Sequence, residues 1–162
     1  MNTQQAALGL ALSEVGIPID VSTFDDRLIL QKTTYLLQQA EVHLGYRFRW
    51  YLRGPYSPDL TEDVFLFARN HAESKKELSG WELDEISKKR IEKIKGLFSV
   101  SREKLALHLE LLASVLFLLV TKQAMASHPQ QLSDILKAND KNFEAGEVSQ
   151  AIESLAKHGY NF

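Results

Sequence analysis

Between Arg27 and Leu44 the apolar positions recur at steps of three and four. Ile29, Leu30, Thr33, Leu36, Leu37, Ala40 and Leu44 therefore fall on one stripe of a helix with 3.6 residues per turn, and that stripe must be buried. Ser22 and Thr23 offer hydroxyls to the free N–H groups of its first turn, and Asp25 and Asp26 place carboxylates at the positive end of its dipole. Gly45 is expected to end the helix in a left-handed conformation. From Tyr46 the period becomes two. Tyr46, Phe48, Trp50 and Leu52 alternate with Arg47, Arg49, Tyr51 and Arg53, which predicts a strand over 46–53 with one apolar and one largely cationic face. Gly54 and Pro55 then turn the chain, and Ser57-Pro58-Asp59 has the order of a helix cap, a first-position proline and a first-turn acid.

The flanking segments read mostly as helices. Ala6, Leu8, Leu10, Leu12 and Val15 predict a first helix stopped by Gly16, followed by an extended Ile17-Pro18-Ile19. Leu60, Val64, Phe65, Phe67 and Ala68 carry the helix from Pro58 to about His71, and the polar stretch 72–80 reads as a surface loop. After a short extended piece at Trp81 and Leu83, Asp84 caps a helix through Ile86, Ile91, Ile94 and Leu97. Its other face, Lys88, Lys89, Arg90, Lys93 and Lys95, reads as solvated. Residues 99–124 contain a helix that is apolar nearly all round, as in the centre of a bundle. Its uninterrupted apolar run is shorter than a membrane span, and Glu110 interrupts the approach to it. The tail, 129–162, has a helix-turn-helix pattern. Leu132, Ile135 and Leu136 mark one helix, Asn139-Asp140 a break, and Phe143, Val148, Ile152 and Leu155 a second helix stopped by Gly159. Tyr160-Asn161-Phe162 then adds a strand or packs back. The whole chain, 1–162, is expected to be one domain, a mainly α-helical bundle with a small β element and a winged-helix-like C-terminal helix pair.

Composition narrows the function more by exclusion than by indication. A chain of 162 residues, 44% hydrophobic and 25% charged, has ordinary globular proportions, and its net charge of -2 gives no general attraction to nucleic acid. It has no cysteine, which fits a reducing compartment. Its first residues lack the basic stretch and cleavage pattern of a signal peptide, so the cytoplasm is the expected location. His43, His71, His108, His128 and His158 form no i, i+4 pair, and no nucleophile elbow, phosphate loop or dinucleotide fingerprint is present. Glu62-Asp63 and Asp25-Asp26 fit early helical turns better than acid–base catalysis. No catalytic residue, cofactor or metal is expected.

The combination LQKTTYLLQQ, a strand with Trp50, then Gly54-Pro55 and Pro58, resembles the Panacea (SocA-like) antitoxin domain. It is similar also to the YwgA-type bacterial proteins, in which the wording GPYSP recurs. The matching segment covers about 28–67, and Thr33-Thr34 depart from the apolar pair usual after the lysine. The resemblance implies a toxin or other effector as protein partner and an antitoxin-like or defence-associated role.

Arg47, Arg49 and Arg53 project from one strand face, with Tyr51 and Tyr56 beside them. They either pair with acids of neighbouring helices or, with the tyrosines, form the arginine and aromatic surface typical of binding hot spots. Trp50 reads as core. Gln31, Lys32 and Tyr35 share one side of the central helix and either buttress the Gly54 turn, in which Pro55, Ser57 and Pro58 also take part, or face the partner. The expected function is thus a non-enzymatic, protein-binding regulatory module. The alternative is a DNA-binding regulator with the arginine strand as wing, which the acidic balance disfavours.

Overall fold

The computed structural model describes residues 1–162 and consists of eight helices and one two-stranded sheet. The helices are α1 (Thr3–Val15), α2 (Phe24–Gln39), α3 (Pro58–Arg69), α4 (His71–Leu78), α5 (Glu85–Ile94), α6 (Arg102–Val120), α7 (Pro129–Ala138) and α8 (Ala145–Lys157). A short 3₁₀ turn, Lys95–Phe98, separates α5 from α6. Strands β1 (Arg49–Tyr51) and β2 (Gly54–Tyr56) pair antiparallel, with Arg49 opposite Tyr56, Trp50 opposite Pro55 and Tyr51 opposite Gly54.

The apolar character of α6 decides the architecture. Leu105, Leu109, Leu112, Val115, Leu116, Leu118 and Leu119 cover most of its circumference, and all are buried because α2, α7, α8 and the hairpin surround it. One continuous core draws on every helix except α4. The fold is mainly α with minor β. No helix is long and apolar enough to cross a membrane.

The end of α2 differs from the sequence expectation, and its form recurs in two other helices. Helix α2 stops at Gln39, six residues before Gly45. Glu41 takes the left-handed conformation (φ 66°), its N–H donates to Gln38 O and that of Val42 to Leu37 O. This paired closure is the usual helix-ending motif, built here on a glutamate. Lys122 after α6 and Asp140 after α7 do the same, with φ 60° and 59°. Ala40 and Leu44 are therefore not helical. Val42, Leu44 and Tyr46 bury alternate side chains from an extended segment that becomes a paired strand only at Arg49.

The polar stretch 72–80 is largely helix, not loop. Ala, Glu and Lys suit a helix intrinsically, and Leu78 anchors α4 by packing over Gly9 of α1. Neither Trp81 nor the C-terminus forms a strand. Tyr160 is buried instead, its hydroxyl donating to Leu36 O of α2 at 2.8 Å. Helices α7 and α8 pack on one another as the tail pattern requires, but no strand follows them, and the hairpin lies far before them in the chain, ending at Tyr56 where α7 starts at Pro129.

Candidate functional site

The hairpin is held from beneath by side chains of α2, α6 and the segment after α7, and the α2 contacts begin with two glutamines seven residues apart. Gln31 Nε2 donates to Ser57 O and its Oε1 accepts from Ser57 N–H, both at 2.9 Å. Gln38 treats Tyr46 in the same way, with both distances 2.8 Å. Each amide thus completes one residue's backbone donor and acceptor, and the two fix the start and end of the excursion from Tyr46 to Ser57 to one face of α2. Gln31 also donates to Thr61 Oγ1, which donates in turn to the Tyr56 hydroxyl. Ser57 then caps α3 with Pro58 at its first position.

Between these clamps the support is ionic. Lys32, 2% exposed, donates from Nζ to Pro55 O at 2.7 Å. Lys141, 3% exposed, donates to Leu52 O at 3.0 Å and to Glu110 Oε1 at 2.9 Å. The two ammonium groups thus hold the carbonyls on either side of the Leu52-Arg53 turn, with the α6 carboxylate as their counter-charge. Gly54 is the point of closest approach. Its φ is +93°, and a Cβ there would lie 2.4 Å from Ser114 Oγ of α6. The residues expected to form a turn into α3 are therefore the second strand of a hairpin, and the turn itself is Leu52-Arg53. Leu52, expected on the apolar face, is 74% exposed because it sits at that tip.

Burial pushes the Lys32 ammonium down to about 7, with the positive charge of Lys141 lowering it further and Glu110 partly opposing. The unfolded chain, whose lysine titrates near 10.5, holds more protons than the folded one from about pH 7 upward. Stability is therefore expected to rise with pH across this window, by at most ~1.4 kcal/mol per pH unit. Above about pH 10 the sign reverses. Tyr35, Tyr46 and Tyr160 are held neutral well above the usual phenol range by burial, and in Tyr46 also by its hydrogen bond to Asp63. The unfolded chain there loses protons that the folded one keeps. Urea unfolding at stepped pH should show a maximum at about pH 10, where the sign reverses, and Lys32→Met should flatten its lower limb. A limb of unchanged slope in that variant would refute the assignment.

Of the residues read as a contact surface, Arg47, Arg49, Tyr51 and Arg53 are exposed and Tyr56 is half-buried. None of the three arginines pairs with a carboxylate, so the alternative of structural ion pairs is not realised. Arg53 lies over the Phe24 ring, 5.7 Å from its centroid, and the Tyr51 and Tyr56 rings are 5.4 Å apart. Gln31, Lys32 and Tyr35 do not face a partner. Gln31 and Lys32 buttress the hairpin, and Tyr35 is core, edge-on to Phe48 with centroids 5.2 Å apart. Trp50 is half-buried against Phe117.

Asp63 is tied into the fold, accepting from Gln5 Nε2 and the Tyr46 hydroxyl, while Glu62 is exposed. Asp26 closes the α2 cap with Thr23 and pairs with Arg102. Sequence reading missed the buried set Glu110, Ser114 and Lys141, together with Gln38. Glu110, the one carboxylate of α6 beyond its polar first turn, was the available signal, since such a charge requires a partner. No protein-family model, curated protein or solved structure matches this chain.

Proposed function

We propose that the protein is a regulatory module of antitoxin-like or defence-associated type, that it acts by binding another protein, and that the hairpin is its contact surface. The observation that carries this reading is the contrast between the two sides of the hairpin. Buried lysines fasten its turn and β2 from beneath, whereas Arg47 and Arg49 are exposed without an ion pair, Tyr51 is exposed against Tyr56, and Arg53 stands at the tip. A surface held rigid in advance loses little conformational freedom on binding, and arginine with tyrosine supplies forked charge and broad apolar contact. Unpaired guanidinium groups favour a partner with carboxylates at its surface.

The resemblance of segment 28–67 to Panacea-type domains supports the same reading. Its two signature parts, the glutamine-lysine pair of α2 and the GPYSP segment, touch each other directly. They specify how the hairpin is presented and supply no reacting group.

Affinity capture of the tagged protein from its native cells, with and without nuclease, tests the proposal. A stoichiometric protein is expected to survive nuclease and to be lost when Arg49→Glu and Arg53→Glu are combined. The double variant should melt within about 4 °C of the parent, because it removes one exposed cation–π contact at most. Retained capture would refute the surface assignment. Capture lost with nuclease would favour the DNA-binding reading instead, for which α8 is poorly suited. Its exposed side mixes Glu147 and Glu153 with Gln150 and Lys157.

A further inference from the structure

A cleft of about 400 Å³ opens between α2, the hairpin and α3. Leu28 and Val64 line its depth and are buried, while Phe24, Tyr51 and Leu52 at its edge are 54%, 58% and 74% exposed. Large apolar side chains concentrated round a hollow mark a binding site more often than a solvated surface. The charge of the lining is one-sided. Arg27 and Arg53 supply its accessible charge, Lys32 being spent on the hairpin beneath, and no Asp or Glu lines it, although acids outnumber bases in the whole chain by 21 to 19. Arg27 spends one N–H on Val21 O, Arg53 rests over Phe24, and neither meets a carboxylate.

We propose that this cleft seats an acidic, apolar peptide segment of the partner, with one large apolar side chain in the hollow and flanking Asp or Glu carboxylates on Arg27 and Arg53. The inference rests on the protein-binding reading and adds the chemistry of the bound segment. An apolar hollow with two guanidinium groups in its lining suits a hydrophobic anchor with carboxylates beside it. A nucleic-acid strand would need cations in a continuous track along its backbone, and here only two accessible guanidinium groups line a largely apolar hollow.

Panning a random dodecapeptide phage library on the intact protein tests this. Enriched sequences should place Phe, Leu or Trp within about four positions of at least two Asp or Glu. A fluorescein-labelled synthetic consensus should bind about tenfold or more weakly to the Arg27→Glu/Arg53→Glu protein. It should weaken likewise with Phe24→Ser, which leaves every cation in place and so separates the two arms of the site. Circular dichroism establishes that both variants fold. Enrichment of uncharged or basic sequences, no enrichment, affinity unmoved by either variant, or tighter binding of labelled oligothymidylate than of the peptide would each overturn the proposal. A captured partner that requires Arg49 and is not displaced by the peptide would overturn the cleft inference while leaving the protein-binding reading intact. Nuclease-sensitive capture would overturn that reading itself.

Discussion

Glu110→Gln should lower the stability of the folded protein by about 3–5 kcal/mol, the range found when one member of a buried ion pair is removed. The substitution preserves size and an acceptor oxygen, so the loss comes from charge. Lys141 then keeps its ammonium group 3% exposed with no carboxylate in contact, and Lys32 loses the one negative group that raises its proton affinity. The hairpin turn should loosen first, since Lys141 also holds Leu52 O and Lys32 holds Pro55 O. Urea unfolding checks the magnitude, and the Glu110→Gln/Lys141→Met pair checks the cause. Removing both charges should recover at least half of the loss, because a buried pair replaced by apolar groups is commonly near neutral. A single-variant loss below about 1 kcal/mol, or no recovery in the pair, would show that the charges are not coupled as the geometry indicates.

Gly54→Ala should cost about 3 kcal/mol or more, from two separable sources. A φ of +93° is strained for any residue with a Cβ, worth roughly 1–3 kcal/mol. The new methyl would also stand 2.4 Å from Ser114 Oγ, on the central helix and wholly buried, so the hairpin must lift or α6 must shift. Ser114→Ala distinguishes them. The serine hydroxyl is buried with no hydrogen-bond partner, so its removal alone should be neutral or stabilising by up to about 1 kcal/mol. In the Gly54→Ala background, the next atom of Ser114, its Cβ, lies at an ordinary contact distance of 3.6 Å. The double variant should therefore recover the contact part and keep the backbone part. Calorimetric melting of the four proteins gives the comparison, and strictly additive losses would exclude the steric account.

The cues that worked and those that failed in the sequence divide along a physical line. Gly16 and Gly159 end α1 and α8 as their positions suggest, because glycine reaches φ near +90° without strain. Glu41, Lys122 and Asp140 end α2, α6 and α7 in the same way; the Asn139-Asp140 pair is a local cue for the last, whereas nothing local marks Glu41 or Lys122. Contacts outside the local sequence accompany the first and the last. Arg90 of α5 donates to Glu41 O, and Lys141, placed by the ending of α7 at Asp140, reaches Glu110. Residues 72–80 show the converse. Their composition favours a helix, but Leu78 is their one large apolar residue, packed over Gly9, so there was no apolar period to read.

By itself the sequence determined what depends on neighbours along the chain. The helical period of α2, α3 and α5, the all-round apolar character of α6, the alternation from Tyr46 to Tyr51, the Ser57-Pro58 start of α3 and the outward direction of Arg47, Arg49 and Tyr51 are all written in the local sequence. Only the tertiary structure decided where Gln31, Lys32 and Tyr35 point. A helix period gives the phase of a side chain around its axis, not what stands opposite. Here the opposing groups are a carbonyl of Pro55, the backbone of Ser57 and the ring of Phe48. The buried Lys32, Glu110 and Lys141 join residues 78 and 31 positions apart, and no local pattern encodes such a meeting. Their burial is tolerable only because each charge has partners that the folded chain brings to it.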